Sequence, residues 1–238
     1  MAQHFGISNT TVRVYEEIGL IPQPTRTKSG YRIYTNEHVA YYACIRIMLS
    51  GFSLTKIAKI LTPVINKDID TALWLANKAQ ADLQQEKIIS QKMMENLFER
   101  IDKSQNSITQ LLTVTEMSKL TGVPATTIRY WDKVGLLTAM RQTENNYRIF
   151  TIADIKKVHV IYAIKFASFA SSKRYSVNII RQQLDNFDYD NKEQIEKLAQ
   201  DFYRYLDNLN RNQIKSIAAL YHLCQQVEAD IFEPLIGI

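Results

Sequence analysis

The stretch Thr10-Thr11-Val12-Arg13-Val14-Tyr15-Glu16-Glu17-Ile18-Gly19-Leu20 returns 116 positions later as Thr126-Thr127-Ile128-Arg129-Tyr130-Trp131-Asp132-Lys133-Val134-Gly135-Leu136. The match runs without a gap from Gly6–Val39 to Gly122–Ile155, and 11 of the 34 positions are identical. Chance similarity between two helical segments is a poor account, because the identities include Gly19, Tyr31, Arg32 and Ile33 at one fixed offset. The chain therefore reads as two copies of one unit.

Within the second copy, Thr115 to Thr121 reads as a short helix, Gly122 as a tight turn, and Pro124 as the first position of a second helix that Gly135 ends. Helix, glycine turn, helix at this spacing is helix-turn-helix geometry. In the first copy Ser8 is a natural N-cap for the second helix. Its leading helix has only Met1 to Phe5 to draw on, so it is stunted or begins upstream. Next, Arg26 to Tyr34 carries Ser29-Gly30 between alternating residues, the pattern of a two-stranded wing. The second wing has Glu144-Asn145-Asn146 at its tip, where asparagine tolerates the left-handed region. A third helix is expected from Asn36 to about Ser50, with Thr151 and Asp154 forming a capping box at the matching start. Ser53 caps a fourth helix that Pro63 follows. Ser176 is the matching cap, about seven residues having been inserted within Ser168 to Tyr175.

Two long polar stretches without Gly or Pro follow the units. The first, 66 to about 110, carries Leu73, Ala76, Leu83, Met94, Leu97, Ile101, Ile108 and Leu111 at spacings of three, four and seven. The second, 191 to about 232, carries Ile195, Leu198, Phe202, Tyr205 and Leu209, then a second seam of Ile217, Leu220, Cys224, Val227 and Ile231. The step near Asn210 reads as a stutter. Both are amphipathic helices with coiled-coil character. They either pair with each other or pack on their own units.

Composition agrees. The 238 residues carry a net charge of +5, with 46% apolar and 22% charged residues. That is the profile of a globular chain of one or two domains. Seven Gly and five Pro favour helices over a turn-rich sandwich. The charge is uneven: residues 1–62 and 113–190 carry +4 each, and the segments after them are slightly acidic. Two cysteines, Cys44 and Cys224, make neither a disulfide framework nor a four-cysteine zinc site. No apolar run is long enough for a membrane span, and Met1 to Gly6 lacks the features of a signal peptide. A cytoplasmic protein with no membrane partner is the expectation. His4, His38, His159 and His222 are scattered, and there is no phosphate loop, dinucleotide turn or nucleophile elbow. No enzyme activity, metal or cofactor is expected. Cys44 reads as a buried small apolar residue.

The runs Thr11 to Pro22, Gly30-Tyr31-Arg32-Ile33-Tyr34 and Gly51-Phe52-Ser53-Leu54, with Thr127 to Leu137 and Tyr147-Arg148-Ile149-Phe150 in the second copy, resemble the MerR family of bacterial winged helix-turn-helix transcription regulators. The two matches cover about 150 residues. The resemblance implies four-helix DNA-binding modules, each followed by a long helix. In the family that helix forms an antiparallel coiled coil between protomers, on pseudopalindromic promoter DNA that is bent and untwisted. Double-stranded DNA is then the partner, with RNA polymerase at the promoter a further candidate. The chain departs from the family in carrying two modules and in lacking its metal-sensing loop and its appended ligand domain. No sensing function carries over.

On that footing Arg13 and Arg129, mid recognition helix, and Arg32 and Arg148, on the wings, are candidate DNA contacts rather than plain solvated charges. Tyr15 and Trp131 either reach the DNA backbone or sit in the core. Base contacts are expected from Ser8, Asn9, Thr10, Thr11, Ala125, Thr126 and Thr127, although Ser8 could serve only as a cap. Arg26 and Lys28 strengthen the first wing. Their counterparts by number, Gln142 and Glu144, predict a weaker second wing. Tyr31 and Tyr147 read as wing-packing residues.

The expected architecture is mainly α. It has a first module (1–65), a long helix (66–111), a second module (112–190) and a second long helix with a short tail (191–238). The long helices pair antiparallel, so that one chain is a pseudo-dimer of unlike modules, with a homodimer as the alternative. The function that follows is a sequence-specific transcription regulator. Two alternatives stand beside it: an architectural or recombination-accessory DNA-bending protein, and a coiled-coil interaction protein that does not bind DNA.

Overall fold

The computed structural model describes residue 6 and residues 8–102, 111–170, 176–189 and 191–232, with side chains at all of these except 96–102 and 167–170. The described chain is mainly helical, and it divides into two compact units. Unit 1 combines Met1–Gln84 with Asn208–Ile238, and unit 2 is Gln85–Asp207. The helix expected before Gly6, the insertion at 171–175 and the tail after 232 lie outside the described residues.

Unit 1 begins with α1 (Asn9–Glu17), capped by Ser8, whose Oγ accepts from the Thr11 N–H at 3.1 Å. Gly19 turns the chain at φ +69°, in the left-handed region that glycine enters at little cost. A hairpin of β1 (Thr25–Arg26) and β2 (Arg32–Ile33) follows, with Thr25 opposite Ile33 and Arg26 opposite Arg32. Then come α2 (Asn36–Met48) and α3 (Leu54–Ile65), the latter capped by Ser53. Pro63 lies inside α3 rather than after it. It falls in the last turn, where only one intrahelical bond is lost, and burial of Leu61 and Val64 carries the helix two residues further. The first part of α4 (Ile69–Asp102) and the second part of α9 (Lys192–Ala229) complete this unit. Ala72, Ala76 and Ala79 from α4 share one core with Leu220, Leu223, Cys224 and Val227 from α9 and with Tyr41, Ile45, Ile57 and Leu61. Cys44 is buried in the same core.

Unit 2 has an added strand. β3 (Leu111–Thr113) pairs with β5 (Arg148–Thr151), which also pairs with β4 (Met140–Arg141). Leu111 is therefore in a strand and not on the preceding helix, while Ile108 lies outside the described residues. Leu112 is the reason: it is 2% exposed and faces Phe150, itself fully buried. α5 (Val114–Thr121) carries a capping box between Thr113 and Glu116, and Gly122 closes it at φ +73°. α6 (Ala125–Lys133) has Pro124 at its N-cap, one position earlier than the sequence pattern suggests. α7 (Ala153–Ala170) and α8 (Val177–Asp185) follow. Thr151 donates to Asp154 at 2.9 Å from both its N–H and its hydroxyl. Aromatic rings join its largely aliphatic core: Phe202 of α9 meets Phe166 edge-on at 5.4 Å, and the Tyr162 hydroxyl donates to Glu86 of α4.

The expected stutter in α9 is absent. Inward positions Ile195, Ala199, Phe202, Leu206, Leu209, Gln213, Ser216, Leu220, Leu223 and Val227 alternate in steps of four and three throughout. Gln213 and Ser216 are 4% and 0% exposed. They hide the continuity because they are polar. Gln213 accepts from Gln80 at 2.6 Å and donates to the Gly51 carbonyl at 3.2 Å. Ser216 donates to the Asn212 carbonyl at 2.7 Å. Buried polar groups so partnered fit inside a core. Gly51 is the close approach that permits this: a Cβ there would lie 2.8 Å from the Asn212 and Gln213 backbone.

Candidate nucleic-acid interface

A helix with one buried face offers the other to solvent. In α1, Val12, Tyr15 and Glu16 point inward, and Ser8, Asn9, Thr10 and Arg13 are exposed, with Thr11 half-buried. In α6, Ile128 and Trp131 point inward, and Thr126 and Arg129 are exposed, with Ala125 and Thr127 half-buried. The polar starts of both helices and both central arginines thus lie on the open face. Ser8 spends its side chain on the cap, accepting from the Thr11 N–H and sharing a hydrogen bond with the Thr11 hydroxyl.

Tyr15 and Trp131 are correspondingly core residues. Tyr15 is 8% exposed and stacks on Tyr42 at 5.2 Å, and Trp131 is 1% exposed. Their place two positions after an exposed arginine, about 200° around the helix, turns them away from the open face. Tyr31 and Tyr147 depart from expectation the other way. At 74% and 66% exposed, they stand out from the hairpins instead of packing on them.

The hairpin arginines have carboxylate partners. Arg32 donates from Nε to Glu16 at 2.6 Å, and Arg26 approaches the same carboxylate at 3.9 Å. Arg148 donates from Nε to Asp132 at 2.6 Å, and Arg141 lies 3.3 Å from it. Glu16 and Asp132 expose 7% and 10% of their side chains. The hydrogen bond to Glu16 raises the Arg32 guanidinium above its ordinary range. Burial on its own would raise the Asp132 carboxyl, but the Ala139 N–H, the Arg148 hydrogen bond and the two guanidinium charges bring it below the usual carboxylate range.

Arg141, not Gln142, is the strand counterpart of Arg26. By number Arg26 matches Gln142. By strand register it matches Arg141, because Arg26 faces Arg32 and Arg141 faces Arg148. The second copy is one residue shorter before the hairpin and one longer in its loop. Thr27 N–H bonds to the Tyr31 carbonyl in the first loop, as Gln142 N–H does to Tyr147 in the second. Gly30 (φ +85°) and Asn146 (φ +59°) supply the left-handed positions. Only Lys28 lacks a basic counterpart, Glu144 standing at the second tip.

In unit 2 these parts enclose a cleft of about 370 Å³, lined by Thr113, Val114, Thr115, Arg129, Asn146, Tyr147 and Arg148. It joins the start of α5, the open face of α6 and the hairpin. Two guanidinium groups border it, and its hydrogen-bonding groups suit an anion. The Glu116 carboxyl at the base of α5 is held low by the Thr113 N–H and hydroxyl. Among the described residues no group of His, Cys, Asp or Glu has the arrangement of a metal site. No described helix is long and apolar enough to cross a membrane.

Comparison with known proteins bears on these two regions. Residues 1–34 and 113–150 both match the model of the MerR family regulatory protein. The chain is 41% identical over 69 residues to the mercuric resistance operon regulatory protein of Bacillus cereus, covering 29% of this chain and 52% of that one. It is 36% identical over 96 residues to the HTH-type transcriptional regulator CueR of Vibrio cholerae, covering 40% of this chain and 66% of that one. The chain spans about half to two thirds of the length of these curated relatives. By name the first is an operon regulatory protein and the second a transcriptional regulator. No solved structure matches the chain significantly.

Proposed function

We propose that this chain is a MerR-type transcription regulator that binds duplex DNA, reading it with the start of α1 in one unit and of α6 in the other. The observation that carries the proposal is the repeated open face: a polar helix start, an exposed arginine one turn on, and a hairpin with two arginines. Arg13, Arg129 and Lys28 contact phosphates, and the hairpin arginines add to this through their outer edges. Asn9, Thr10, Ala125, Thr126 and the Thr11 and Thr127 side chains face the bases. Tyr15 and Trp131 support the helices from behind. Binding distorts promoter DNA, and RNA polymerase acts at the same promoter. The protein works in the cytoplasm.

We further propose that each unit, completed by part of α4 and part of α9, is one winged helix-turn-helix half of a single-chain pseudo-dimer. The long helices pair antiparallel as a coiled coil. Contacts inside each unit support this: Gln80 with Gln213 in unit 1, and Lys87 with Asp207 at 3.4 Å in unit 2. The two half-sites then differ. Asn9 suits adenine, whereas Ala125 offers only a methyl. Val14 and Glu17 are replaced by Tyr130 and Lys133.

Selection of bound fragments from genomic DNA, followed by footprinting, tests the proposal. An asymmetric protected site and a monomer of 27.5 kDa in sedimentation are expected. Arg13→Ala and Arg129→Ala remove exposed cations, and each should lower the salt slope by about one phosphate contact. No salt-dependent duplex binding would end the DNA reading. An obligate homodimer with exchanged long helices would end the pseudo-dimer. Occupancy confined to recombination sites would favour an architectural protein.

A further inference from the structure

Glu16 and Asp132 pose a problem for a DNA-facing surface. Each puts a negative charge behind a patch meant for a polyanion, and Coulomb's law makes that unfavourable for binding. Yet the arrangement occurs twice, in hairpins that differ in length and register. The carboxylate is Glu16 in one unit and Asp132 in the other, and the second cation is Arg26 in one and Arg141 in the other. The sequence offset does not preserve the Arg26–Arg141 correspondence, but the geometry does. A mostly buried carboxylate accepts an Nε–H at 2.6 Å in both units. That bond uses the Nε–H of the guanidinium, and the two terminal nitrogens are the fork suited to phosphate.

We propose that Glu16 and Asp132 are positioning residues for DNA recognition: each fixes a wing arginine, Arg32 or Arg148, in the orientation in which it meets a phosphate, and so sets the wing against its recognition helix. The inference rests on the DNA-binding reading above. Its benefit is preorganisation, since an arginine already held in place has less side-chain freedom to lose on binding. The carboxylate charge is unfavourable for association, and its constraint lowers dissociation.

These two effects have opposite signs, and that makes the test sharp. Glu16→Gln and Asp132→Asn each remove a negative charge, so electrostatics alone predicts tighter binding to DNA. Positioning predicts weaker binding. The measurement is fluorescence anisotropy and stopped-flow dissociation on a labelled 40-bp duplex, recovered by selection from random-sequence DNA. It is made well below the melting temperature of each variant, with native circular dichroism verified. The expected result is about 3- to 10-fold weaker affinity for each variant, the size of releasing one or two held side chains. The loss should appear in faster dissociation, with the salt slope unchanged. Glu16→Asp and Asp132→Glu should stay within about twofold of wild type, because the carboxylate is kept. Arg32→Lys should weaken binding although its charge is kept, because lysine has no fork. If either carboxamide variant does not fold, the carboxylate swap at that position and Arg32→Lys are measured in its place. The inference is overturned if folded carboxamide variants bind as tightly as wild type or more tightly, or if Arg32→Lys binds normally. A wild-type chain that binds no duplex overturns the DNA reading first and this inference with it.

Discussion

Replacing Gly51 with alanine should loosen unit 1 by an amount that follows from the geometry. Gly51 is buried where the turn between α2 and α3 meets α9. An added Cβ would sit 2.8 Å from the Asn212 carbonyl carbon, its oxygen and the Gln213 nitrogen. All three are backbone atoms, so no rotamer change relieves the contact. Ordinary carbon contacts begin near 3.4 Å, so α9 must retreat by about 0.6 Å. That lengthens the bond from Gln213 Nε2 to the Gly51 carbonyl, now 3.2 Å, beyond hydrogen-bonding range. Overpacking costs about 1–3 kcal/mol, and a buried polar group left unpartnered about 1–3 more. The expected loss is about 2–6 kcal/mol, or roughly 4–24 °C in melting temperature for a chain of this size. Urea and thermal denaturation followed by circular dichroism measure it, with amide exchange in α2 and α3 to localise it. Gly30→Ala is the control: φ is +85° there but no atom lies within 4 Å of the new Cβ, so only backbone strain of about 1–2 kcal/mol applies. A Gly51→Ala chain no less stable than the Gly30→Ala chain would refute the reasoning.

Three further outcomes follow from burial. Burial lowers the His38 pKa, and its Nδ1 accepts from the Thr35 N–H at 3.1 Å, so the fold favours the neutral ring. The unfolded chain takes up that proton near pH 6.5, so the contribution is present above that pH and declines as pH falls below it. Melting temperatures from pH 7.5 to 5.5 should show the decline, and His38→Asp, which copies Asp154 at the matching cap, should flatten it. Burial raises both thiols, that of Cys224 to about 11, so Cys44 and Cys224 should react with a thiol reagent only as fast as unit 1 opens; stoichiometric labelling of the native chain within seconds would contradict this. Trp131→Ala should cost about 3–5 kcal/mol of stability in a denaturant melt, whereas Trp131→Phe should keep duplex affinity in the same anisotropy assay; a large affinity loss in a stable Trp131→Phe chain would return the indole to the DNA surface.

Much of the local structure was legible because it depends on short-range chemistry. Ser8 and Ser53 cap helices, Gly19 and Gly135 turn the chain at positive φ, and Thr151 meets Asp154 as the motif requires. What was hidden depends on three dimensions. A gapless alignment assigns Gln142 to Arg26, but strand register is set by hydrogen bonds and loop length, and a shift of one residue reassigns the wing cation. Counting apolar residues breaks α9 at Asn210, because Gln213 and Ser216 are polar yet buried, Gln213 through partners far away in sequence. Tyr15 and Trp131 lie next to exposed arginines in the chain and on the other side of the helix in space. Arg32 and Arg148 were found as cations, but their carboxylates were not. Residues 16 and 132 align at the repeat offset, and a search for acid–base pairs conserved between the copies would have found them.

The discontinuity of unit 1 has a consequence for the order in which the protein is made. Residues 85–207 form a continuous segment, so everything unit 2 is built from has been synthesised once Asp207 has been added. Unit 1 starts first and finishes last. Its core needs Leu220, Leu223, Cys224 and Val227, which follow about 140 residues after Ala79. Until they arrive, Tyr41, Ile45, Ile57 and Leu61 lack the helix that covers them. The first half therefore keeps an uncovered apolar face for as long as the second takes to translate, and exposed apolar surface of that kind favours aggregation.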